Sequence, residues 1–250
     1  MDGSIPSSDA FARAHKLAPI TDEVSKKLRG GVWERSELAR SAYSSVLELG
    51  RWLSRQGITP NALTYVALLF AVGSGVAAAT GAYLTSALLL LVSSVFDLLD
   101  GIVARSADMS TRFGALLDST VDRLADALPL LGMAVACAET PLAAAVLMSA
   151  IVTGFAVSYV RARAEGLGIK LPTLFMRRAE RIALLLAALL VGSISVPGFP
   201  SEVAMLSIVA VMAALSLVAA VWAMRAAYVA LSRDELGRGV SVPAATPSRP

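Results

Sequence analysis

Five of the six aspartates in the segment DLLDGIVARSADMSTRFGALLDSTVDRLAD, which covers residues 97–126 of a 250-residue chain, stand three or four residues from another aspartate. They are Asp97, Asp100, Asp118, Asp122 and Asp126. The chain is 56% hydrophobic, so carboxylates at this density need compensating positive charge. Hard oxygen ligands suit Mg²⁺ or Mn²⁺, and two such ions can stabilise the attacking and leaving oxygens in a displacement at phosphorus. The aspartates therefore predict a divalent metal site, with two ions, that acts on a phosphorus centre.

The spacing of the aspartates indicates how they meet. Asp97 and Asp100 are i, i+3, and Asp118 and Asp122 are i, i+4, so each pair lies on one helical face. If the two helices are antiparallel neighbours, the four carboxylates converge at one depth. The alternative is that they form salt bridges with three arginines of the same segment. These are Arg105, Arg112 and Arg123.

Two glycines in the same segment weigh against a purely structural role. Gly101 and Gly114 lie inside or beside helices, where glycine costs about 1 kcal/mol relative to alanine. Glycine at such positions allows a helix or a ligand to approach closely. The only histidine, His15, lies in the polar N-terminal segment, and the only cysteine, Cys137, lies in an apolar run. Histidine catalysis, an internal disulfide and a zinc site are therefore not expected.

The elements that position these residues are membrane-spanning helices. Lys and Arg are absent from residues 56–104, 124–160 and 182–224, and each gap has room for about two crossings. The positive-inside rule then places both termini and the aspartates in the cytoplasm. We predict an all-α integral membrane protein with six transmembrane helices. They are expected at about 61–80, 83–105, 114–137, 141–165, 177–196 and 201–230.

An amphipathic pattern precedes the first span. Between about Val32 and Arg55, apolar residues recur on one helical face, and Trp33 and Trp52 suit the depth of a membrane interface. The face comprises Leu38, Ala42, Val46, Leu49 and Leu53. The alternative is an ordinary helix of a small cytosolic domain. The predicted organisation is a flexible cytoplasmic N-terminus (1–31), an amphipathic interfacial helix (32–56), the six-helix membrane domain (57–232) and a disordered cytoplasmic tail (233–250).

The aspartate segment also carries a specific motif. The pattern Asp97-x2-Asp100-Gly101-x2-Ala104-Arg105-x8-Gly114-x3-Asp118-x3-Asp122 resembles, without a mismatch, the signature of the CDP-alcohol phosphotransferase family. The stretch TPNALT, at residues 59–64, also resembles the segment before the first span of that family. The resemblance covers about residues 33–230 and implies a six-helix membrane enzyme, as the charge pattern does.

The resemblance implies a role for each residue of the motif. Asp97, Asp100 and Asp118 would hold the metals, and Asp122 would share in coordination and act as the general base toward the acceptor hydroxyl. The donor would be CDP-diacylglycerol or its ether-lipid equivalent, and CMP would leave. The remaining motif residues would serve the CDP-lipid. They are Gly101, Ala104, Arg105 and Gly114.

A second basic window, SYVRARAEGLGIKLPTLFMRRAERI, points to the acceptor. Arg178 and Arg181 are i, i+3, Arg161 ends the preceding helix, and Ser158 stands one turn before Arg161. Arginine binds phosphate oxygens with a fixed fork of donors, so these four residues suit an acceptor that carries its own phosphate. We interpret the other basic residues of the window as flanking charges. These are Arg163, Lys170 and Arg177.

The window resembles that of the phosphatidylinositol-phosphate synthases and their archaeal ether-lipid counterparts. Arg161 replaces a lysine and Ala179 a proline of those proteins. The expected acceptor is therefore 1D-myo-inositol 3-phosphate, with glycerol 3-phosphate, the acceptor of phosphatidylglycerophosphate synthase, as the alternative. Asp126 either binds sugar hydroxyls or pairs with an arginine.

A different class, an ion channel or transporter, is disfavoured because the carboxylates lie near one membrane face rather than the midplane. The resemblance implies a homodimer. We expect a multi-pass protein of the plasma membrane with lipid around it and no nucleic-acid partner.

Overall fold

The structure is a computed structural model that describes residues 37–106, 109–172, 175–198 and 200–239. In this part of the chain it contains seven α-helices and no β-strand, which confirms the all-α prediction. In chain order they are α1 (Glu37–Arg55), α2 (Pro60–Ala79), α3 (Tyr83–Ser106), α4 (Arg112–Ala136), α5 (Pro141–Gly166), α6 (Arg178–Gly192) and α7 (Ser201–Gly239). The predicted N-terminal segment 1–31, Trp33 and residues 240–250 of the predicted tail lie outside the described residues.

Four helices are long and apolar enough to cross a membrane. They are Pro60–Ala79, Tyr83–Arg105, Pro141–Gly166 and Ser201–Arg233. The described helices α4 and α6 are not among them. Residues 112–126 of α4 include five charged residues, and α6 has 15 residues, fewer than the ~20 that a straight crossing needs. Crossings by α4 and α6 therefore stay predictions.

The chain divides into two compact units. Among the described residues, the first unit consists of those up to Val76 together with Thr85–Pro129, and the second of Ala77–Leu84 together with those from Leu130 onward. All five aspartates belong to the first unit. The basic window of residues 158–181 belongs to the second.

Proline and threonine fix the start of α2. Pro60 occupies the first helical position, where its missing N–H costs nothing. The Thr59 side chain accepts a hydrogen bond from the backbone N–H of Ala62 at 3.3 Å, so Thr59 is the N-cap. This is the turn and helix start that the stretch TPNALT indicated. It anchors the first turn of α2.

Small and polar residues join α2 to α3 within the first unit. The hydroxyl of Ser74 lies 2.9 Å from that of Ser86, and Ser93 donates a hydrogen bond to the carbonyl of Ala67 at 2.8 Å. Ala67 and Ala71 are fully buried. Small side chains let two helices approach closely, and hydroxyl groups can then bond across the contact. The contact holds the aspartate-bearing end of α3 against the first turns of α2.

Helix α1 packs against the same end of α3. Leu47 is buried against Ile102, and Val46 and Leu53 pack against buried residues of α2 and α3. Leu49, predicted to share this face, points outward and is 43% exposed. The face of α1 that is buried against α3 is centred on residues 46, 47, 50 and 53, and the interfacial position of the predicted apolar face stays a prediction. The side chains of Leu38 and Ala42 lie outside the described residues.

In the second unit, α5 and α6 both pack against α7. Leu147, Leu189 and Met205 are fully buried there. Helix α6 ends at Gly192 rather than near residue 196, since Ser193 caps it and Pro197 follows closely. Helix α7 continues to Gly239, beyond residue 233, where the tail was expected to begin.

Candidate active site

Three aspartates meet where α3 ends and α4 begins. One carboxylate oxygen from each of Asp97, Asp100 and Asp118 lies within 4.8 Å of the others. Asp97 and Asp100 share a face of α3, and a short connection places the start of α4 beside them. The convergence expected from the spacing is therefore present for three of the four motif aspartates.

This donor set fits a hard divalent cation. Two carboxylates at 4.8 Å repel each other by roughly 3 kcal/mol at an effective dielectric constant of about 20. Three carboxylates together cost a substantial part of the 5–15 kcal/mol that typically stabilises a folded protein. A divalent cation removes this cost, and oxygen-only donors suit Mg²⁺, Mn²⁺ or Ca²⁺ rather than zinc.

Asp100 is anchored by a buried hydrogen bond. It is 4% exposed, and its Oδ2 accepts a hydrogen bond of 2.6 Å from the hydroxyl of Thr64, which is 3% exposed. Thr64 lies in the first turns of α2. This contact was not predicted from the sequence, although Thr64 ends the stretch TPNALT.

Asp122 and Asp126 occupy the next two turns of α4. Asp122 is half-buried, and its Oδ1 is withdrawn from solvent. It is not one of the three aspartates whose oxygens meet within 4.8 Å. The base role of Asp122 and the role of Asp126 stay predictions.

The four residues assigned to the CDP-lipid flank the aspartates. Gly101, Ala104 and Arg105 occupy the end of α3, and Gly114 lies in the first turn of α4. A Cβ on Gly114 would lie 2.9 Å from the Thr111 hydroxyl and 3.1 Å from Oδ1 of Asn61. Gly114 therefore lets the starts of α2 and α4 approach each other beside the aspartates.

Gly101 has a different neighbour. A Cβ there would lie 3.2 Å from Nη1 of Arg105, so the Arg105 side chain lies back over Gly101. The guanidinium of Arg105 therefore lies on the surface of α3 at Gly101, the residue after Asp100. A positive group therefore lies on the same end of α3 as Asp97 and Asp100.

In the second unit the structure brings Ser158 and Arg181 together. Arg181 is 7% exposed, its Nη2 donates to the Ser158 hydroxyl at 3.3 Å, and its Nη1 donates to the carbonyl of Met176 at 3.0 Å. The side chain packs against Gly154, where a Cβ would make ordinary van der Waals contact with Nε of Arg181 at 3.6 Å. The guanidinium is therefore held in one orientation.

The other two predicted phosphate ligands lie one turn away. Arg161 follows Ser158 by three residues on α5, Arg178 precedes Arg181 by three on α6, and both are half-buried. By contrast, Arg163, Lys170 and Arg177 are exposed, as flanking charges should be. The Arg177 side chain pairs with Glu180 at 3.4 Å.

Two residues beside Arg181, one that contacts it and one that caps its helix, were not assigned a role from the sequence. Met176 has a φ of 56°, a left-handed conformation that is uncommon for a non-glycine residue, and this presents its carbonyl to Arg181. Glu180 accepts a hydrogen bond from the backbone N–H of Arg177 at 3.0 Å, and so caps α6. The capping signal was readable, since an acidic residue at the third helical position is typical of a helix start. The conformation of Met176 was not.

The fold and the carboxylate site are those of a helical membrane transferase. The model of the CDP-alcohol phosphatidyltransferase family matches residues 57–232, and the chain belongs to this family. Its membership, together with the four apolar helices, makes the chain a membrane protein. It also makes the chain an enzyme rather than the ion channel or transporter considered as the alternative.

Two individual relatives show which members of the family this chain is similar to. The chain is 42% identical over 137 residues to the archaetidylinositol phosphate synthase of Methanothermobacter thermautotrophicus, covering 55% of this chain and 69% of the relative. It is 33% identical over 199 residues to the phosphatidylinositol phosphate synthase of Mycobacteroides abscessus, covering 76% and 86%.

Solved structures agree with these relatives. The phosphatidylinositol phosphate synthase of Mycobacterium tuberculosis with CDP-DAG bound superposes with a TM-score of 0.67 at 27% identity, over 73% of this chain and 93% of that chain. The same protein in complex with manganese and citrate gives a TM-score of 0.66, over 73% and 88%.

Proposed function

We propose that this enzyme transfers the phosphatidyl or archaetidyl group of a CDP-linked lipid to a hydroxyl of an inositol phosphate and releases CMP. The observation that carries the proposal is the group of three carboxylates within 4.8 Å, built on the family's motif residues. The relatives named as inositol phosphate synthases, and the relative with CDP-DAG bound, support the choice of both substrates. The expected acceptor is 1D-myo-inositol 3-phosphate.

Asp97, Asp100 and Asp118 would hold divalent cations, with Asp122 as a further ligand. The manganese complex of the mycobacterial relative supports Mg²⁺ or Mn²⁺, and we propose two ions. When bound, such ions neutralise the pyrophosphate and the oxygen of the departing CMP. The carboxylates would determine where the ions bind, because Asp97 and Asp100 lie on one face of α3.

The reaction exchanges one phosphorus–oxygen bond for another. The acceptor hydroxyl oxygen attacks the phosphorus that bears the lipid, and the bond from that phosphorus to the bridging oxygen of CMP breaks. Asp122 takes the hydroxyl proton as the acceptor oxygen bonds to phosphorus. Its half-buried position one turn after Asp118 supports this role, because it remains accessible to a substrate beside the carboxylate group.

The two substrates would use separate sets of residues. Gly101, Ala104, Arg105 and Gly114 would receive the cytidine nucleotide beside the aspartates. The phosphate of the acceptor would bind the basic residues of the second unit. These are Ser158, Arg161, Arg178 and Arg181. A guanidinium already oriented, as that of Arg181 is, loses little entropy when it binds an anion.

We further propose that α2–α7 all cross the membrane, that α1 lies in its interface, and that the enzyme is a homodimer in the plasma membrane. The termini and the aspartates would face the cytoplasm, where CDP-linked lipids and phosphorylated polyols are available. The exposed Trp52 on α1 supports the interfacial position. The basic residues outside the three gaps support the orientation.

A panel of acceptors tests the reaction. Purified enzyme is incubated with CDP-diacylglycerol, Mg²⁺ or Mn²⁺, and one of inositol 3-phosphate, inositol, glycerol 3-phosphate or serine, and CMP release is measured. CMP release is expected with inositol 3-phosphate and not with inositol. The Asp97→Asn variant serves as the control for contaminating activity. Equal rates with inositol would contradict the phosphate pocket, and preference for glycerol 3-phosphate would identify a phosphatidylglycerophosphate synthase.

A further inference from the structure

We propose that Thr64 is a positioning residue that fixes the Asp100 carboxylate for metal binding. Thr64 lies on α2 and Asp100 on α3, and their contact is a buried hydrogen bond of 2.6 Å between Oγ1 and Oδ2. The inference rests on the proposed function through one point only, the metal role of Asp100. Thr64 is not part of the aspartate motif that runs from Asp97 to Asp122.

The hydroxyl proton has two acceptors within reach. Oγ1 of Thr64 lies 2.6 Å from Asp100 and 3.1 Å from the carbonyl oxygen of Pro60, one turn back on α2. A hydroxyl carries one proton, and a bond to a carboxylate at this length is charge-assisted and about twice as strong as a neutral one. The proton is therefore directed to Asp100, and the Pro60 carbonyl receives the weaker contact.

The geometry of α2 makes this donor rigid. Threonine is branched at Cβ and has few rotamers in a helix, and the first turn is anchored by Thr59 and Pro60. The end torsion of an aspartate is broad by itself, so Asp100 needs an external group to fix its plane. Thr64 supplies that group from a neighbouring helix and holds one oxygen of Asp100 in place.

Loss of the hydroxyl would act on the metal more than on the fold. Removal of an outer partner of a metal ligand typically weakens metal binding about 10- to 100-fold. Thr64→Val keeps the branched shape and removes the donor, whereas Thr64→Ser keeps the donor and removes a methyl group. Thr59→Val is the matched control, because it removes a cap from the same helix end without touching Asp100.

The experiment measures Mn²⁺ binding to full-length enzyme in detergent, without substrates, by the loss of the free Mn²⁺ signal in electron paramagnetic resonance. We expect Thr64→Val to raise the Mn²⁺ Kd about 10- to 100-fold, and Thr64→Ser and Thr59→Val to stay within about threefold of wild type. The Mn²⁺ concentration for half-maximal CMP release should shift in parallel for Thr64→Val.

The outcomes separate the two hypotheses. If wild type binds Mn²⁺ and Thr64→Val binds it equally well, the positioning role is wrong. If wild type binds no Mn²⁺, the metal role of Asp100, and with it the proposed mechanism, fails first. A Thr64→Val protein that does not elute as wild type does is replaced by Thr64→Ala, which lacks the same hydroxyl. A loss of thermal stability equal in Thr64→Val and Thr59→Val, with unchanged Kd in both, would show a structural role only.

Discussion

Gly75 on α2 lies where the backbone of α4 comes closest, and replacing it with alanine tests the packing that supports the site. A Cβ on Gly75 would lie 2.8 Å from the carbonyl oxygen of Leu128, 3.1 Å from its carbonyl carbon and 3.3 Å from its Cβ. Non-bonded carbon atoms are most stable at about 3.5–4.0 Å. Two of these three atoms belong to a helix backbone and cannot turn away, so α2 and α4 must separate.

The neighbouring Gly73 offers a matched control on the same helix. A Cβ there would lie 3.4 Å from Cδ1 of Leu89, which is the far end of a mobile side chain. Both substitutions gain the helix propensity of alanine, about 1 kcal/mol. Only Gly75→Ala adds overpacking, which typically costs about 1–3 kcal/mol. We expect Gly75→Ala to destabilise the enzyme by up to about 2 kcal/mol, and Gly73→Ala to be neutral or stabilising by up to about 1 kcal/mol.

The only cysteine of the chain provides the assay. Cys137 is 6% exposed, so a thiol-reactive fluorophore reports its exposure as the protein unfolds on heating. About 1 kcal/mol moves the Tm of a chain of this size by roughly 2–4 °C. Gly75→Ala should therefore melt below Gly73→Ala, by about 2–12 °C. A Tm for Gly75→Ala at or above that of Gly73→Ala would refute the close contact between α2 and α4.

Three further predictions address the chemistry and the topology. Asp122→Asn should abolish CMP release while binding of CDP-diacylglycerol is retained, because the amide cannot accept the proton; near-wild-type turnover would show that another group is the base. Arg178→Ala should raise the acceptor KM about 10- to 100-fold, as expected for a charged hydrogen bond of about 1.5–3 kcal/mol, with little change in the KM for the CDP-lipid. Arg177→Ala, next in sequence but exposed and paired with Glu180, should change either KM less than threefold, and equal small effects of the two variants would contradict the pocket. In a background without the native cysteine, a membrane-impermeant maleimide added to intact cells should label a cysteine at residue 139 and not one at residue 109, and the reverse pattern would invert the topology.

Helix positions were predictable because strong local signals mark their ends. The starts of α2 and α5 fall at Pro60 and Pro141, and the turn between α2 and α3 contains Gly81 with a φ of 76°. These starts and this turn lie within a residue of their predicted positions. The end of α6 was less predictable, because Ile194 and Val196 continue the apolar pattern up to Pro197, whereas the helix already ends at the cap on Ser193.

The site was predictable to the extent that it depends on one helix at a time. Spacing of i, i+3 places Asp97 and Asp100 on one face, and the short connection then brings Asp118 to them. Thr64 was not predictable in this way, since it lies 36 residues from Asp100 and meets it only when α2 packs on α3. Periodicity describes a helix face, whereas a hydrogen bond between helices depends on how far each has turned and slid against the other.

The basic window also shows that helical spacing does not predict packing between helices, here for residues assigned to the acceptor phosphate. The i, i+3 spacing predicted that Arg178 and Arg181 lie on one helical face. In the structure Arg181 is buried and Arg178 is half-buried. Arg181 is oriented by the Met176 carbonyl and the Ser158 hydroxyl, so part of its donor set is already used within the protein. A guanidinium is planar, so contacts at two of its five donors fix the orientation of the whole group. Arg181 would then give the pocket its fixed orientation and Arg178 its adjustable charge, and loss of Arg181 should impair the fold as well as the acceptor KM.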